Sequence, residues 1–501
     1  MSAPFGDHVS IVVFGASGDL AKKKTFPALF GLFRQGQLPA SVKIFGYARS
    51  KLSQEDFRER VEPNFKTKND KDKEKVKEFL DLCTYHSGQY DTDEGYKELL
   101  KEITEFEKSG NVSKPERLFY LALPPSTFTL VALQLKKLVY PENGAVRLIV
   151  EKPFGHDLES ARKLQKDLAP LFSEEELYRI DHYLGKEMVK NLLVLRFGNQ
   201  LLNAAWNKEH IQSIQISFKE AFGTEGRGGY FDEIGIVRDV MQNHILQVLT
   251  LLTMERPVSF DPEAIRDEKV KVLKAFAPLN NDDILLGQYS KSEDGKKPGY
   301  LDDETVKKDS KCVTYAAIGA RINNERWEDV PIVMRAGKAL DESKVEIRIQ
   351  FKPVPRGMFE QIQSNELVIR IQPDEAVYMK INSKIPGIST ETALTDLDLT
   401  YSKRYSKDFW IPEAYETLIR DCLLGNHSNF VRDDELDVSW QLFTPLLNYI
   451  ESDKAPVPEK YPYGSKGPKG LRDFLGKHNY VFTDEGTYQW PLTRPDVKGK
   501  I

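Results

Sequence analysis

Two hydrophobic periodicities in one chain predict two domains. The first is α/β with a parallel, doubly wound sheet; the second is a larger α+β domain with a mainly antiparallel sheet. In the first third, short apolar runs alternate with helical stretches, and the runs end in polar or glycine-rich loops. Beyond about residue 180 the runs switch to polar–apolar alternation. The boundary is placed between residues 1–178 and residues 179–501.

Each element follows from its composition. Val9–Phe14 is a short apolar run, the pattern of a strand buried on both faces. A helix starts near Leu20, and Pro27 must start, kink or divide it. Val42–Tyr47, Leu118–Leu123 and Val146–Val150 are further buried strands, the last two running into Pro124–Pro125 and Glu151–Pro153. Residues 66–78 interleave Lys, Asp and Glu, which suits a solvated helix or loop. In the second domain Ile211–Phe218, Lys344–Phe351 and Glu366–Ile371 alternate with period 2, as strands with one buried face do. Helices over Val237–Leu252 and Pro412–Leu424 are expected to cover that sheet. The second opens on a proline and is followed by Gly425.

With 501 residues, 40% hydrophobic, the chain can bury a large core. A net charge of −5 argues against nucleic acid as partner, while leaving room for a local cationic pocket. Cys83, Cys312 and Cys422 are far apart and offer neither a disulfide framework nor metal spacing. No window approaches the roughly 18 apolar residues of a membrane span. The start of the chain has no secretory or presequence pattern. A soluble cytoplasmic protein with no membrane partner is the expectation.

Gly15–Ala21 (G-x-x-G-x-x-A) lies between a buried strand and a helix, where a phosphate-binding loop belongs. Glycine permits the tight turn and close backbone approach, and the helix N-terminus attracts a pyrophosphate. The spacing departs from the usual G-x-G-x-x-G of a Rossmann-like domain, because Val13 occupies the place of the first glycine. The second strand ends in Gly46–Ser50, and Arg49 stands where an NAD site would carry an acidic residue. Arginine suits a 2′-phosphate, so the cofactor is expected to be NADP.

Arg179–Glu187 concentrates two cations, two carboxylates, an imidazole and a phenol. If helical, His182 and Lys186 share a face and both reach one phosphate. Downstream, His244 follows Asp239 by five residues, and oxidation of an alcohol needs a base such as a histidine oriented by a carboxylate. Read alone, His244 could equally be a core histidine satisfied by backbone.

Five segments stand in the order found in the glucose-6-phosphate dehydrogenase family: Gly15–Lys22, Glu151–Gly155, Arg179–Glu187, Phe222–Phe231 and Arg238–His244. The resemblance, closest to the eukaryotic, yeast-like members, runs from the first strand to Trp490. It implies oxidation of glucose 6-phosphate at C1 to 6-phosphogluconolactone with hydride transfer to NADP, the entry step of the pentose phosphate pathway, without a metal. It implies His244 as general base, with Asp181 as its carboxylate partner. Lys152 would stand between substrate and nicotinamide. His182, Tyr183 and Lys186 would hold the sugar phosphate, and Glu220, Asp239, Lys338 and Gln372 would surround the sugar. Gly15, Ala16, Ser17, Gly18, Asp19, Leu20, Ala21, Lys22, Arg49 and Lys152 would hold the cofactor.

A second, structural NADP is implied at Arg335, Lys344, Arg348, Arg370, Tyr378, Lys380 and Trp490. Lys466 and Asp484 depart from the family's pattern there, and Ser343 replaces an arginine of the animal enzymes near the substrate. A homodimer or homotetramer built through the antiparallel sheet is also implied. Two rival readings stay open at this stage. One is a dehydrogenase of another hexose 6-phosphate or of NAD; the other is a non-catalytic NADP-sensing Rossmann protein.

Overall fold

The structure is a computed structural model that describes residues 4–67, 69–355, 358, 362–406 and 409–482. The chain forms two compact units. The first comprises residues 1–187, 257–270 and 411–440; the second comprises residues 188–256, 271–410 and 441–501.

The first unit is built on six strands: β1 (His8–Phe14), β2 (Ser41–Ala48), β3 (Cys83–Ser87), β4 (Glu116–Leu121), β5 (Ala145–Val150) and β6 (Leu177–Arg179). Their order is β3-β2-β1-β4-β5-β6, and every neighbouring pair is parallel. The order reverses direction at β1, so the carboxyl ends of β1 and β4 open the crevice where ligands of doubly wound sheets bind. Six of the seven residues of β1 are buried, as its largely apolar run, interrupted by Ser10, requires. Pro27 lies in the first turn of the helix Phe26–Arg34, and a π-helical turn, Ala21–Thr25, precedes it.

The charged stretch near residue 70 is a helix, Asp70–Asp81, capped by the Asn69 side chain and burying Val76, Phe79 and Leu80. The helix Ala414–Leu423 differs from expectation: it packs against Phe26–Arg34 in the first unit rather than over the antiparallel sheet. Arg147 of β5 donates to its last carbonyls, Cys422 O at 2.5 Å and Leu423 O at 2.8 Å, and Gly425 follows with φ +72°. A buried guanidinium at a helix C-terminus satisfies carbonyls that have no partner within the helix and opposes the dipole.

The second unit holds nine strands: β7 (Ile211–Lys219), β8 (Ile284–Ser290), β9 (Tyr315–Ala320), β10 (Ile332–Gly337), β11 (Lys344–Phe351), β12 (Glu366–Gln372), β13 (Ala376–Lys384), β14 (Thr392–Thr400) and β15 (Glu459–Pro462). Their order is β14-β13-β12-β11-β7-β10-β9-β8-β15. The pairs β7–β10 and β8–β15 are parallel and the rest antiparallel.

The alternation suggested one solvated face, yet Ser213, Gln215, Ser217, Glu346 and Gln350 on the polar face are buried. The segment after the helix Leu471–Lys477 covers part of this face. Gln350 exchanges hydrogen bonds of 2.7 and 2.8 Å with the Val481 backbone, and Tyr480 donates to Glu366 at 2.9 Å. Polar side chains therefore become interior groups, each needing a partner.

Against this sheet packs a continuous helical stretch, a π-helical segment Val237–Ile245 running into Leu246–Thr253. Three buried donors tie down its C-terminal end. Arg196 donates to Leu251 O and Met254 O at 2.7 Å each, Trp206 Nε1 to Leu252 O at 2.9 Å, and Trp327 Nε1 to Thr253 O at 2.7 Å. Burial lowers the Arg196 pKa to about 9. Among the described residues no helix is long and apolar enough to cross a membrane, and the three cysteines are free.

Candidate functional site

The loop after β1 is set by its glycines. Gly15 has φ +77°, a region that strains any side chain, and a Cβ there would strike the Ala122 carbonyl at the end of β4. The N–H groups of Gly15 and Ala16 donate to Tyr47 O at 2.8 and 3.2 Å, and Gly18 N closes back on Gly15 O at 2.8 Å. The loop thus lies flush on β2 and β4 and feeds directly into a helix, whose first N–H groups have no partner within it. Asp19 pairs with Lys22 and Lys23 at 2.8 and 3.2 Å, and those two cations hold its pKa down.

Arg49, exposed at the end of β2, has its guanidinium 5.6 Å from the centre of the Tyr90 ring. Ser17 and Ser50 hydroxyls meet at 3.2 Å, and Arg60 donates to Ser17 O at 3.2 Å. Arg60 escaped the sequence reading, because it lies on a helix with no motif of its own. Two guanidiniums, two hydroxyls and a helix N-terminus beside a close-packed glycine make a donor set for an anionic dinucleotide. The residues present fit such a cofactor.

Arg179–Glu187 is not the single helix its spacing suggested. Strand β6 ends at Arg179, and three successive turn bonds follow: Leu184 N to Asp181 O, Gly185 N to His182 O, and Lys186 N to Tyr183 O, at 3.0 to 3.2 Å. A helix begins only at Glu187. Asp181 anchors the bend by accepting the Tyr183 N–H at 2.9 Å, and Arg179 turns away into an ion pair with Glu174 at 2.8 Å. Tyr183 is buried, and the Lys186 ammonium lies 4.9 Å from its ring centre. His182 remains half-exposed, its ring parallel to Tyr415 at 5.9 Å.

Lys152, also half-exposed, follows β5 and joins Pro153 through a cis peptide. Glu151 beside it is buried and accepts from Tyr120 at 2.5 Å. Burial pushes its pKa up to about 7, against hydrogen bonds from Tyr120 and Tyr415 and the Lys152 charge. These partners were also missed: nothing in a sequence says that a carboxyl next to a lysine will be interior.

In the second unit the π-helical segment places Asp239 and His244. Bonds spaced i to i+5 stack residues five apart, and such turns recur at functional sites. His244 is buried and its ring runs parallel to Phe218 of β7 at 6.4 Å. Lys338, just past β10, reaches both Glu220 (2.5 Å) and Asp239 (3.2 Å). Burial works against its ammonium, but the Asp239 and Glu220 charges prevail and its pKa lies above the ordinary value. Ser343 accepts from Ala221 N at 3.0 Å and so steadies the residue after Glu220. Gln372 closes β12, in register with Val345. The arrangement sets a cation between two carboxylates in the unit that also carries His244, with donors and acceptors for neutral hydroxyls.

Elsewhere in this unit Arg335, Lys344 and Arg348 line a cleft of about 540 Å3 together with Lys466 and Tyr480. Arg370 and Lys380 stand on the adjoining strands, paired to Glu346 (3.7 Å) and Glu366 (2.8 Å), and Tyr378 is buried on β13. Burial alone would raise the Glu346 carboxyl; Arg348, Lys344 and Arg370 hold it down at about 2. Trp490 and Asp484 lie outside the described residues.

Residues 12–191 match the family model for the NAD binding domain of glucose-6-phosphate dehydrogenase, and residues 193–490 match that for its C-terminal domain. A relative from Cyberlindnera jadinii called glucose-6-phosphate 1-dehydrogenase is 72% identical, with 99% of each chain covered. One of the same name from Saccharomyces cerevisiae is 69% identical, with 98% of each covered. Among solved structures, a glucose-6-phosphate dehydrogenase in complex with its substrate glucose 6-phosphate superposes with a TM-score of 0.94 at 68% identity, covering 96% of this chain and 100% of that one. A glucose-6-phosphate 1-dehydrogenase from Mycobacterium avium gives 0.79 at 32% identity over 94% and 98%.

Proposed function

The chain belongs to the glucose-6-phosphate dehydrogenase family, and on that premise we propose that it oxidises glucose 6-phosphate at C1 to the 6-phosphogluconolactone with NADP as hydride acceptor. The full-length match to relatives of that name carries the reading. When bound, the nicotinamide supplies the hydride acceptor, and the rest of the work falls to the protein's own groups.

His244 takes the proton from the C1 hydroxyl. Its ring is held against Phe218, on a helical stretch whose far, C-terminal end is fixed by Arg196, Trp206 and Trp327. Glu220, Asp239 and Lys338, already bonded to one another, present a fixed polar frame to the sugar hydroxyls, with Gln372 as a further donor and acceptor. Such preorganisation spares the reorganisation that water would require. The first unit supplies His182, Tyr183 and Lys186 for the phosphate, and Lys152 for the reacting end. The Tyr183 ring serves by fixing Lys186.

Arg49 selects NADP over NAD, since a guanidinium pairs bidentately with a 2′-phosphate. The second cleft, with Arg335, Lys344 and Arg348, accommodates a further NADP. Self-association as a homodimer or homotetramer belongs to the same reading. In support, β14 closes one edge of the large sheet with Leu397 60% exposed.

The decisive experiment follows NADPH absorbance with glucose 6-phosphate and with free glucose. Strong preference for the phosphorylated sugar is expected, and equal rates would exclude the assignment. Arg49→Ala should weaken NADP binding by about 1–3 kcal/mol while leaving NAD almost unaffected. In equilibrium dialysis the parent should bind two NADP per chain, and Arg335→Ala one.

A further inference from the structure

The helical stretch that carries Asp239 and His244 changes direction just before them. The helix Gly228–Ile236 is broken at Gly235, with φ +64° and ψ 167°. That conformation belongs almost to glycine alone, so the break is written into the chain. Immediately beyond it the Ile236 N–H donates to Val313 O at 2.9 Å, and the π-helical segment Val237–Ile245 starts there.

Residues 300–313 also hold the helix on the near side of the break. Gly228 N donates to Asp303 Oδ2 at 3.1 Å and Gly229 N to Thr305 Oγ1 at 2.8 Å, which satisfies two amides that a helix start leaves over. A Cβ on Gly228 would come within 2.4 Å of Val306, so helix and segment pack without a gap. Asp232 makes the central contact. A single oxygen, Oδ1, accepts from Tyr300 at 2.8 Å and from Ser310, and Tyr300 is fully buried. The ring of Phe231, the residue before it, has the Lys338 ammonium 5.1 Å from its centre, and Lys338 in turn reaches Asp239 beyond the break.

We propose that Asp232 is a positioning residue for His244, which rests on His244 being the base as set out above. Gripped by Tyr300 and Ser310, it fixes the helix before Gly235 and so the direction in which the π-helical segment presents the imidazole.

A break at glycine acts as a hinge unless both sides are tied. On the far side Arg238 pairs with Glu451 and Asp239 with Lys338. On the near side the Asp232 oxygen is the acceptor shared by two hydroxyls, and without it the helix can slide along residues 300–313. Proton abstraction is sensitive to such a slip, because a misplacement of about 1 Å can cost about 100-fold in rate.

The test is kcat divided by the number of glucose 6-phosphate sites that calorimetry titrates on the full chain. Asp232→Ala should lower this ratio about ten-fold. A mere loss of folded protein would reduce sites and rate together and leave the ratio unchanged. Asp232→Asn keeps an oxygen for both hydroxyls and should restore most of the rate. Since Asp232 acts through His244, Asp232→Ala should add little to the loss caused by His244→Ala. An unchanged ratio in Asp232→Ala, no recovery in Asp232→Asn, or additive losses in the double variant would each overturn the proposal. If the Ala variant does not fold, Tyr300→Phe, which keeps the ring, replaces it: a smaller fall is expected, and an unchanged ratio overturns the proposal. A parental rate in His244→Ala would instead sink the base assignment, a failure read independently of Asp232.

Discussion

Five residues separate Asp239 from His244, a spacing that an α-helix would send to faces about 140° apart. The π-helical segment Val237–Ile245 brings them back to one face, and Lys338 then ties Asp239 to Glu220. The role proposed for His244 thus depends on a local departure from ordinary helix geometry. His244→Ala should lower kcat by roughly 10²–10⁴-fold, the usual worth of a general base, with little change in the binding of glucose 6-phosphate. Steady-state rates and calorimetry would check this, and an unchanged kcat would remove His244 from the mechanism. At this scale the motifs named candidate residues, but not how they are held. Arg60, Tyr120 and Tyr415 carry no pattern of their own, and they and the burial of Glu151 became visible only once burial and distance were known.

Between elements, buried polar groups decide which helix packs where. Lys269, on the helix Pro262–Lys274, and Glu435, on the helix Asp433–Ile450, form a 2.7 Å ion pair with both side chains 0% exposed. Both residues belong to the first unit, although they lie beyond its main stretch, which ends at Glu187. Lys269→Met would leave Glu435 buried without its cation and should cost about 3–5 kcal/mol. Adding Glu435→Leu should recover most of that loss, since a buried pair is often replaceable by apolar residues of similar size. Urea unfolding of the single and double variants gives the answer, and additive losses would contradict the coupling. The strand–helix alternation and the period-2 strands were legible because burial on two faces or one writes itself into hydropathy. The covered polar face of β7 and β11 was not, because a chain segment more than a hundred residues away supplies the cover.

At the scale of the whole chain, interior titratable groups couple folding to pH. His427 is 4% exposed, stacked on Tyr178 at 4.0 Å, and burial, helped by the Arg266 charge, lowers its pKa to about 4. Its ordinary value is 6.5, so between the two values the unfolded chain binds the extra proton. Its stabilising contribution is therefore complete above pH 6.5 and is lost as pH falls toward 4. His427→Phe keeps the stacking and should flatten the loss of thermal stability over that interval. Melting temperatures of parent and variant at about pH 7 and 5 test this, and parallel losses would refute it. Glu151 acts in the opposite sense: its raised pKa makes its contribution complete below 4.5 and lost as pH rises through about 7.

By itself the sequence determined the two sheet types and the place of the glycine-rich loop, and it named the candidate residues for the chemistry. Each of those rests on local periodicity or on a motif whose spacing the backbone enforces. Only the tertiary structure decided that residues 257–270 and 411–440 return to the first unit, and that Arg179–Glu187 is strand, turns and helix in succession. It also decided that Asp239 and His244 share a face and that Glu151 is interior. These outcomes depend on which distant groups cover a surface or satisfy a buried polar atom, and no local pattern records a partner hundreds of residues away.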